Sequence, residues 1–228
     1  MFKDSNEKWS FVRGCSLLGI SLLLLLAVLF SGCAPQDDID DGQADILTLV
    51  NPWHSLEEDY VPPLASLNDG TELDARALDA LIQLLQACRE NNGTPYVCSA
   101  YRSYETQSDL YEDKVGRMMA SGMNEELARI AAAREVAAPG TSEHQLGLSV
   151  DIIDSEYTVL DEAQANTPTQ QWLMKNSWRY GFILRYPEGK SEITGIIYEP
   201  WHYRYVGKEA AEDIYESGLC LEEWLETK

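Results

Sequence analysis

Thr141-Ser142-Glu143-His144-Gln145-Leu146-Gly147-Leu148-Ser149-Val150-Asp151-Ile152 decides the reading of this chain, with Glu199-Pro200-Trp201-His202 as its counterpart further on. The whole sequence contains three histidines, and two of them fall in these segments, each at short spacing from a carboxylate. Leu148, Val150 and Ile152 alternate with Ser149 and Asp151, the period of a strand with one apolar face. Such a strand is held to the core by its apolar set while Asp151 faces the other way. Before it, Pro139-Gly140 ends a helical stretch, so the Ser142 to His144 turn follows a helix terminus. A histidine before the strand, a carboxylate on it and a second histidine from a distant segment form a metal-site pattern.

Outward from this stretch the sequence is strongly acidic, with 38 Asp and Glu against 17 Lys and Arg. That balance argues against nucleic acid or an anionic lipid surface as partner, because phosphate binding needs clustered basic side chains. Residues 1–32 have the layout of an export signal: Lys3, Lys8 and Arg13, then an apolar run from Leu17 to Phe30, then Phe30-Ser31-Gly32-Cys33. Cys33 after small residues resembles the bacterial lipoprotein box, with Phe30 where leucine is more usual. The rival reading is a retained span, since the apolar run approaches the roughly 20 residues a membrane helix needs. Either reading places the rest outside the cytoplasm, lipid-anchored at Cys33 or secreted. Residues 33–45 read as a flexible acidic tether, and 46–228 as one domain.

Within that domain the expected order begins with a strand at Ile46 to Val50. A helix follows, with Thr71 and Asp74 as an acidic capping box and Leu73, Ala77, Leu78, Leu81, Leu84, Leu85 and Cys88 on its buried face. Asn92-Gly93 stops it with glycine in the left-handed conformation, and Tyr96 to Ala100 forms a strand. A helix runs from the Tyr101 to Gln107 region to about Ser121-Gly122. Another runs from Asn124 to Ala137, packing through Leu127, Ile130, Ala131 and Arg134. Residues 155–166 form an acidic connection at a cleft rim, and Thr167-Pro168 starts a helix. Strands at 180–186 and 193–198 follow, then His202 to Tyr205 and helices at 208–217 and 221–225. An oxidising location allows a Cys88–Cys98 bridge, leaving Cys220 in a C-terminal packing contact. His54 reads as structural or exposed.

Zinc in a hydrolase is commonly held by three protein ligands with a position left open. His144, Asp151 and His202 supply that set. Glu199, three residues before His202 with Pro200 between, has the spacing of a general base that relays a proton from the attacking water to the leaving amine; a fourth ligand or a surface acid is the competing reading. Arg102 is a candidate for a substrate carboxylate or a developing oxyanion, or else a surface ion pair. Tyr104, Gln107 and Ser142 are donors that would line the same cleft.

Taken together, Tyr101-Arg102-Ser103-Tyr104-Glu105-Thr106-Gln107, Ser142-x-His144-x-x-Gly147-x-x-x-Asp151 and Glu199-x-Trp201-His202 resemble the VanY-type D-alanyl-D-alanine carboxypeptidases, a group related to VanX-like dipeptidases and LD-carboxypeptidases. The resemblance covers about Leu49 to Gly218. It implies His144, Asp151 and His202 as zinc ligands, Glu199 as catalytic base, Arg102 as the arginine that binds and polarises substrate, and Ser142 and Gln107 as pocket residues. Ser149 stands where the pattern usually has alanine, a change expected to matter little. The implied fold is α+β, a small antiparallel sheet flanked by helices, of the Hedgehog/DD-peptidase type. The implied activity is zinc-dependent removal of the last D-alanine from peptidoglycan stem peptides. An LD-carboxypeptidase acting on tetrapeptide stems and a non-catalytic wall-binding module are the alternatives. A serine peptidase is disfavoured by the lack of a Gly-x-Ser-x-Gly elbow, and nothing calls for more than a monomer.

Overall fold

Packing in this chain is organised around one leucine-rich helix and the sheet it covers. The computed structural model describes residues 44–228; the expected export signal, Cys33 and most of the tether lie outside the described residues. A short hairpin, β1 (Leu64–Ser66) and β2 (Glu72–Asp74), leads into α1 (Ala75–Glu90), and β3 (Pro95–Ser99) follows. A helical hairpin comes next, α2 (Tyr104–Ala120) and α3 (Glu125–Glu135). The one-turn helix α4 (Glu143–Leu146) then enters β4 (Ser149–Asp154). After α5 (Pro168–Asn176) come β5 (Phe182–Leu184), the one-turn α6 (Ser191–Thr194), β6 (His202–Tyr205), α7 (Lys208–Ser217) and α8 (Leu221–Leu225). The larger sheet is antiparallel throughout, in the order β3-β4-β6-β5. The fold is thus the expected α+β arrangement of helices around a small antiparallel sheet.

The main core joins Ala77, Leu81, Leu84, Leu85 and Cys88 of α1 to Val150 and Ile152 of β4, with Leu173, Phe182 and Tyr203. Burial of the leucine, isoleucine, valine and phenylalanine side chains in this set supplies about 1.5–3 kcal/mol each. It fixes β4 with Val150 and Ile152 toward α1 and leaves Ser149 and Asp151 for the opposite side.

Several boundaries differ from the sequence reading. Asp74, not Thr71, caps α1, accepting from Arg76 N, because Glu72 to Asp74 is drawn into the hairpin with β1. Asn92 takes the left-handed conformation (φ 65°), whereas Gly93 is needed for its close approach to Cys88. Ile46 to Val50 is not a strand: the Ile46 and Thr48 carbonyls accept from Arg204 Nη2 at 2.8 and 3.0 Å instead of a neighbouring ladder. The 193–198 segment is also not a strand, since Ser191–Thr194 closes a helical turn that Gly195 (φ 81°) ends. On α3 the packed face is Ala128 and Ala132 against Tyr111 and Val115, and Leu127 and Ile130 are exposed. Small residues let the two helices of the hairpin approach closely, which apolar periodicity alone does not reveal. At the start of the described residues Ala44 packs on the core, and its carbonyl accepts from Arg76 Nη1 at 2.9 Å. Cys88, Cys98 and Cys220 are free thiols, so the Cys88–Cys98 bridge is not formed; Cys88 is buried in the core and Cys98 is exposed.

Candidate zinc centre

Two ladders and one turn bring the candidate ligands together. In the β4–β6 register Asp151 stands directly opposite His202, and in the β3–β4 register it stands opposite Ser99. His144 arrives from α4, whose first turn is capped by Ser142 accepting from His144 N at 3.3 Å. Gly147 ends that turn at φ 76°, and a Cβ there would meet Pro62 Cγ at 2.7 Å, so glycine is required for the chain to pass from α4 into β4. His144, Asp151 and His202 each offer a donor atom within 4.8 Å of the others. All three are buried.

Hydrogen bonding selects which nitrogen faces the centre. His144 Nδ1 is 2.6 Å from the Ala100 carbonyl, which turns Nε2 toward Asp151 Oδ2 at 3.2 Å. His202 is oriented the other way, with Nδ1 3.1 Å from Asp151 Oδ1 and 3.7 Å from Glu199 Oε2. The two rings meet edge to face at 4.9 Å between centroids. His144 Nε2 and His202 Nε2 are buried without hydrogen-bond partners among the described residues. Unpaired buried imidazole nitrogen is costly in a finished core, and His144 Nε2 sits where a cation would be ligated. Two imidazoles and one carboxylate, with room for a fourth ligand, suit zinc. His54 lies elsewhere, exposed and paired with Asn51.

The cleft over this centre has a volume of about 270 Å³ and includes Arg102, Gln107, Ser142, Glu199 and Trp201 in its lining. Arg102 follows β3, and its backbone N–H donates to the His144 carbonyl at 3.1 Å; its buried Nε has no partner among the described residues. Gln107 donates through Nε2 to the Ala137 carbonyl at 2.6 Å, and its Oε1 has no partner among the described residues. Tyr104 departs from expectation: it lines a separate depression with Glu58, Ser103 and Glu105. One helical turn separates Tyr104 from Gln107, and only the latter is buried.

Sequence reasoning did not single out Glu143, Tyr186, or the Lys114–Glu135 ion pair in the cleft wall. The Tyr186 ring lies 4.7 Å from that of His202. Glu143 lies inside the key motif, yet an acid beside a turn reads as solvent-facing, and only tertiary structure buries it.

A family model described as VanY, D-alanyl-D-alanine carboxypeptidase, matches residues 70–208, across the ligands and Glu199. The chain belongs to the VanY D-alanyl-D-alanine carboxypeptidase family. It is 44% identical over 189 residues to a D-alanyl-D-alanine carboxypeptidase of Enterococcus faecalis, covering 82% of this chain and 68% of that one. A crystal structure of a mutant vancomycin resistance D,D-pentapeptidase VanY in complex with Zn(II) superimposes with a TM-score of 0.71 at 45% identity, over 78% of this chain and 98% of that one. The LdcB LD-carboxypeptidase structure gives a TM-score of 0.70 at 36% identity, over 79% and 86% of the two chains. This VanY-family chain is a zinc carboxypeptidase of the same fold as these neighbours.

Without metal, the electrostatics of the VanY-family centre set a pH dependence. Burial pushes the Glu199 carboxyl up to about 8, with the Asp151 charge adding to it. Burial disfavours charge on His202, but the Asp151 and Glu143 carboxylates beside it overcome this and raise it to about 9. Burial and then the Arg102 charge lower His144 to about 4. Asp151 is held below the usual carboxylate range: burial opposes this, and the histidines outweigh burial. A group raised on folding stabilises below its unfolded pKa and loses that contribution as pH rises through the folded value. For Glu199 the loss runs from 4.5 through about 8, and for His202 from 6.5 through about 9. The chelated protein is therefore expected to lose thermal stability from pH 6.5 to 9, while zinc affinity rises because ligands bind deprotonated. Melting curves with and without chelator test this, and a flat apo profile over that window would refute it.

Proposed function

We propose that this protein removes the C-terminal D-alanine from peptidoglycan stem peptides ending in D-alanyl-D-alanine. The convergence of His144, Asp151 and His202 beneath a cleft that also holds Glu199 and Arg102 carries this reading, together with membership of the VanY family. Zinc, when bound, supplies a Lewis acid for the scissile carbonyl and lowers the pKa of nearby water.

The remaining roles belong to side chains of the chain. Glu199 Oε2 accepts a proton from the attacking water and passes it to the leaving amine nitrogen as the C–N bond breaks. Burial raises the Glu199 carboxyl above its ordinary value, which strengthens it as a proton acceptor. The Arg102 guanidinium, half-buried and with its inner Nε lacking a partner among the described residues, binds the substrate's terminal carboxylate or the developing oxyanion. Gln107 Oε1, also without a partner among the described residues, offers an acceptor to a substrate amide. Ser142 shapes the wall by holding the His144 turn.

The protein is further proposed to work outside the cytoplasm, with residues 1–32 as export signal and Cys33 as a lipid anchor. The basic head, apolar run and small residues before Cys33 support this.

The LD-carboxypeptidase neighbour makes the tetrapeptide stem the second substrate to test. D-Alanine release from pentapeptide and tetrapeptide stems, followed separately with zinc, decides between them. Release from pentapeptide alone is the expected result. Release mainly from tetrapeptide would move the activity to the LD class, and release from neither would leave a wall-binding module.

A further inference from the structure

Behind the zinc centre lies a second set of buried charges, made of Glu143, Arg185, Arg204 and Glu222. Glu143 has no exposed side-chain surface, and it is the neighbour of the ligand His144 in sequence. Its Oε1 accepts from Arg185 Nε and Arg204 Nη1, both at 2.7 Å. Its Oε2 accepts from Ser149 Oγ at 3.1 Å and lies 3.6 Å from His202 Nε2. Arg185 extends the set to α8, giving Nη1 and Nη2 to the two oxygens of Glu222 at 2.8 and 2.6 Å. Thus one carboxylate oxygen is held by two guanidiniums, and the other, fixed by a hydroxyl, points at the back of a zinc ligand.

We propose that Glu143 is a positioning residue for zinc: its Oε2 takes the Nε2 proton of His202 in a hydrogen bond that presents Nδ1 to the metal. A ligating histidine commonly gives its far N–H to a carboxylate or carbonyl, which fixes ring orientation and raises ligand basicity. His144 already does so with the Ala100 carbonyl. Among the described residues His202 has no equivalent backbone acceptor, and its Nε2 is buried and unpartnered at the present separation. Glu143 is the carboxylate facing that nitrogen, and a movement of a few tenths of an ångström closes the bond. The two arginines serve this arrangement by keeping the carboxylate ionised and its rotamer fixed. Ser149 acquires a role here: its hydroxyl anchors the oxygen that faces His202, so the residue expected to matter little holds the positioning group.

The inference rests on zinc being held by His144, Asp151 and His202, and its test separates the two ideas. Three histidines give a ring spectrum simple enough to assign. In the purified full-length protein with labelled histidine, zinc affinity is measured by chelator competition, and the imidazole N–H resonances are followed in the zinc-loaded state. Glu143→Gln is expected to weaken zinc binding about 10- to 100-fold and to shift the His202 Nε2–H resonance, leaving the His144 Nδ1–H resonance in place. Unchanged affinity with an unmoved resonance would overturn the proposal. So would weaker zinc binding with an unmoved His202 resonance, because the loss would then come from general loosening. Should Glu143→Gln fail to fold, Ser149→Ala carries the test and is expected to move the same resonance in the same direction; no movement there also overturns it. Failure of the wild type to bind zinc would instead remove the parent reading.

Discussion

Replacing Glu199 with alanine is expected to leave one zinc ion per chain and to lower turnover by about 10²- to 10⁴-fold. Glu199 is 3.7 Å from His202 Nδ1, yet it stands outside the group of three donors that converge on one point. It reaches the cleft from the turn before β6, where its backbone N–H is tied to the Tyr186 carbonyl at 3.2 Å. Removing its side chain therefore takes away the proton acceptor without removing a ligand. Metal content and turnover of the purified variant, measured on one sample, decide the matter. Loss of zinc together with activity would make Glu199 a fourth ligand and leave the proton relay without its residue.

Arg185→Met is expected to give the largest loss of stability. The Arg185 side chain is fully buried and paired at once with Glu143 and Glu222. A buried ion pair contributes little against an apolar replacement of both partners, but removal of one partner leaves uncompensated charge and costs about 3–5 kcal/mol. Glu143 would retain Arg204, while among the described residues Glu222 would retain only the Asn51 side-chain amide at 3.2 Å. For a domain of this size the corresponding fall in Tm is on the order of 10 °C. Thermal denaturation in excess chelator isolates this effect from zinc affinity. A Tm within a degree or two of wild type would show that water or a side-chain rearrangement compensates the two carboxylates.

The two predictions draw on parts of the chain that differ in how openly the sequence displays them. His144 and His202 are legible because histidine is rare in this chain, and Asp151 and Glu199 because each stands at short spacing from one of them, on a turn and a strand that bring the set together. The α1 core is legible because leucines repeat at helical spacing. By contrast, Ile46 to Val50 has the composition of a strand, and its backbone instead finds Arg204, 156 to 158 residues away. The packed face of α3 escapes a hydrophobicity pattern because alanines form it. Tyr104 and Gln107 look equivalent as polar residues, and only the direction in which α2 leaves β3 separates them. The burial of Glu143 depends on arginines from two strand regions and is invisible to any local pattern.

The opposition of Asp151 and His202 in the β4–β6 ladder reaches beyond the chemistry of the site. A slip of β6 by one residue would set Trp201 or Tyr203 against Asp151 and turn the histidine to the other face of the sheet. Metal then gains nothing from the misaligned chain. Zinc is in this sense a gauge of strand alignment: its binding free energy goes only to molecules whose central ladder has closed correctly, and it draws the folding population toward them.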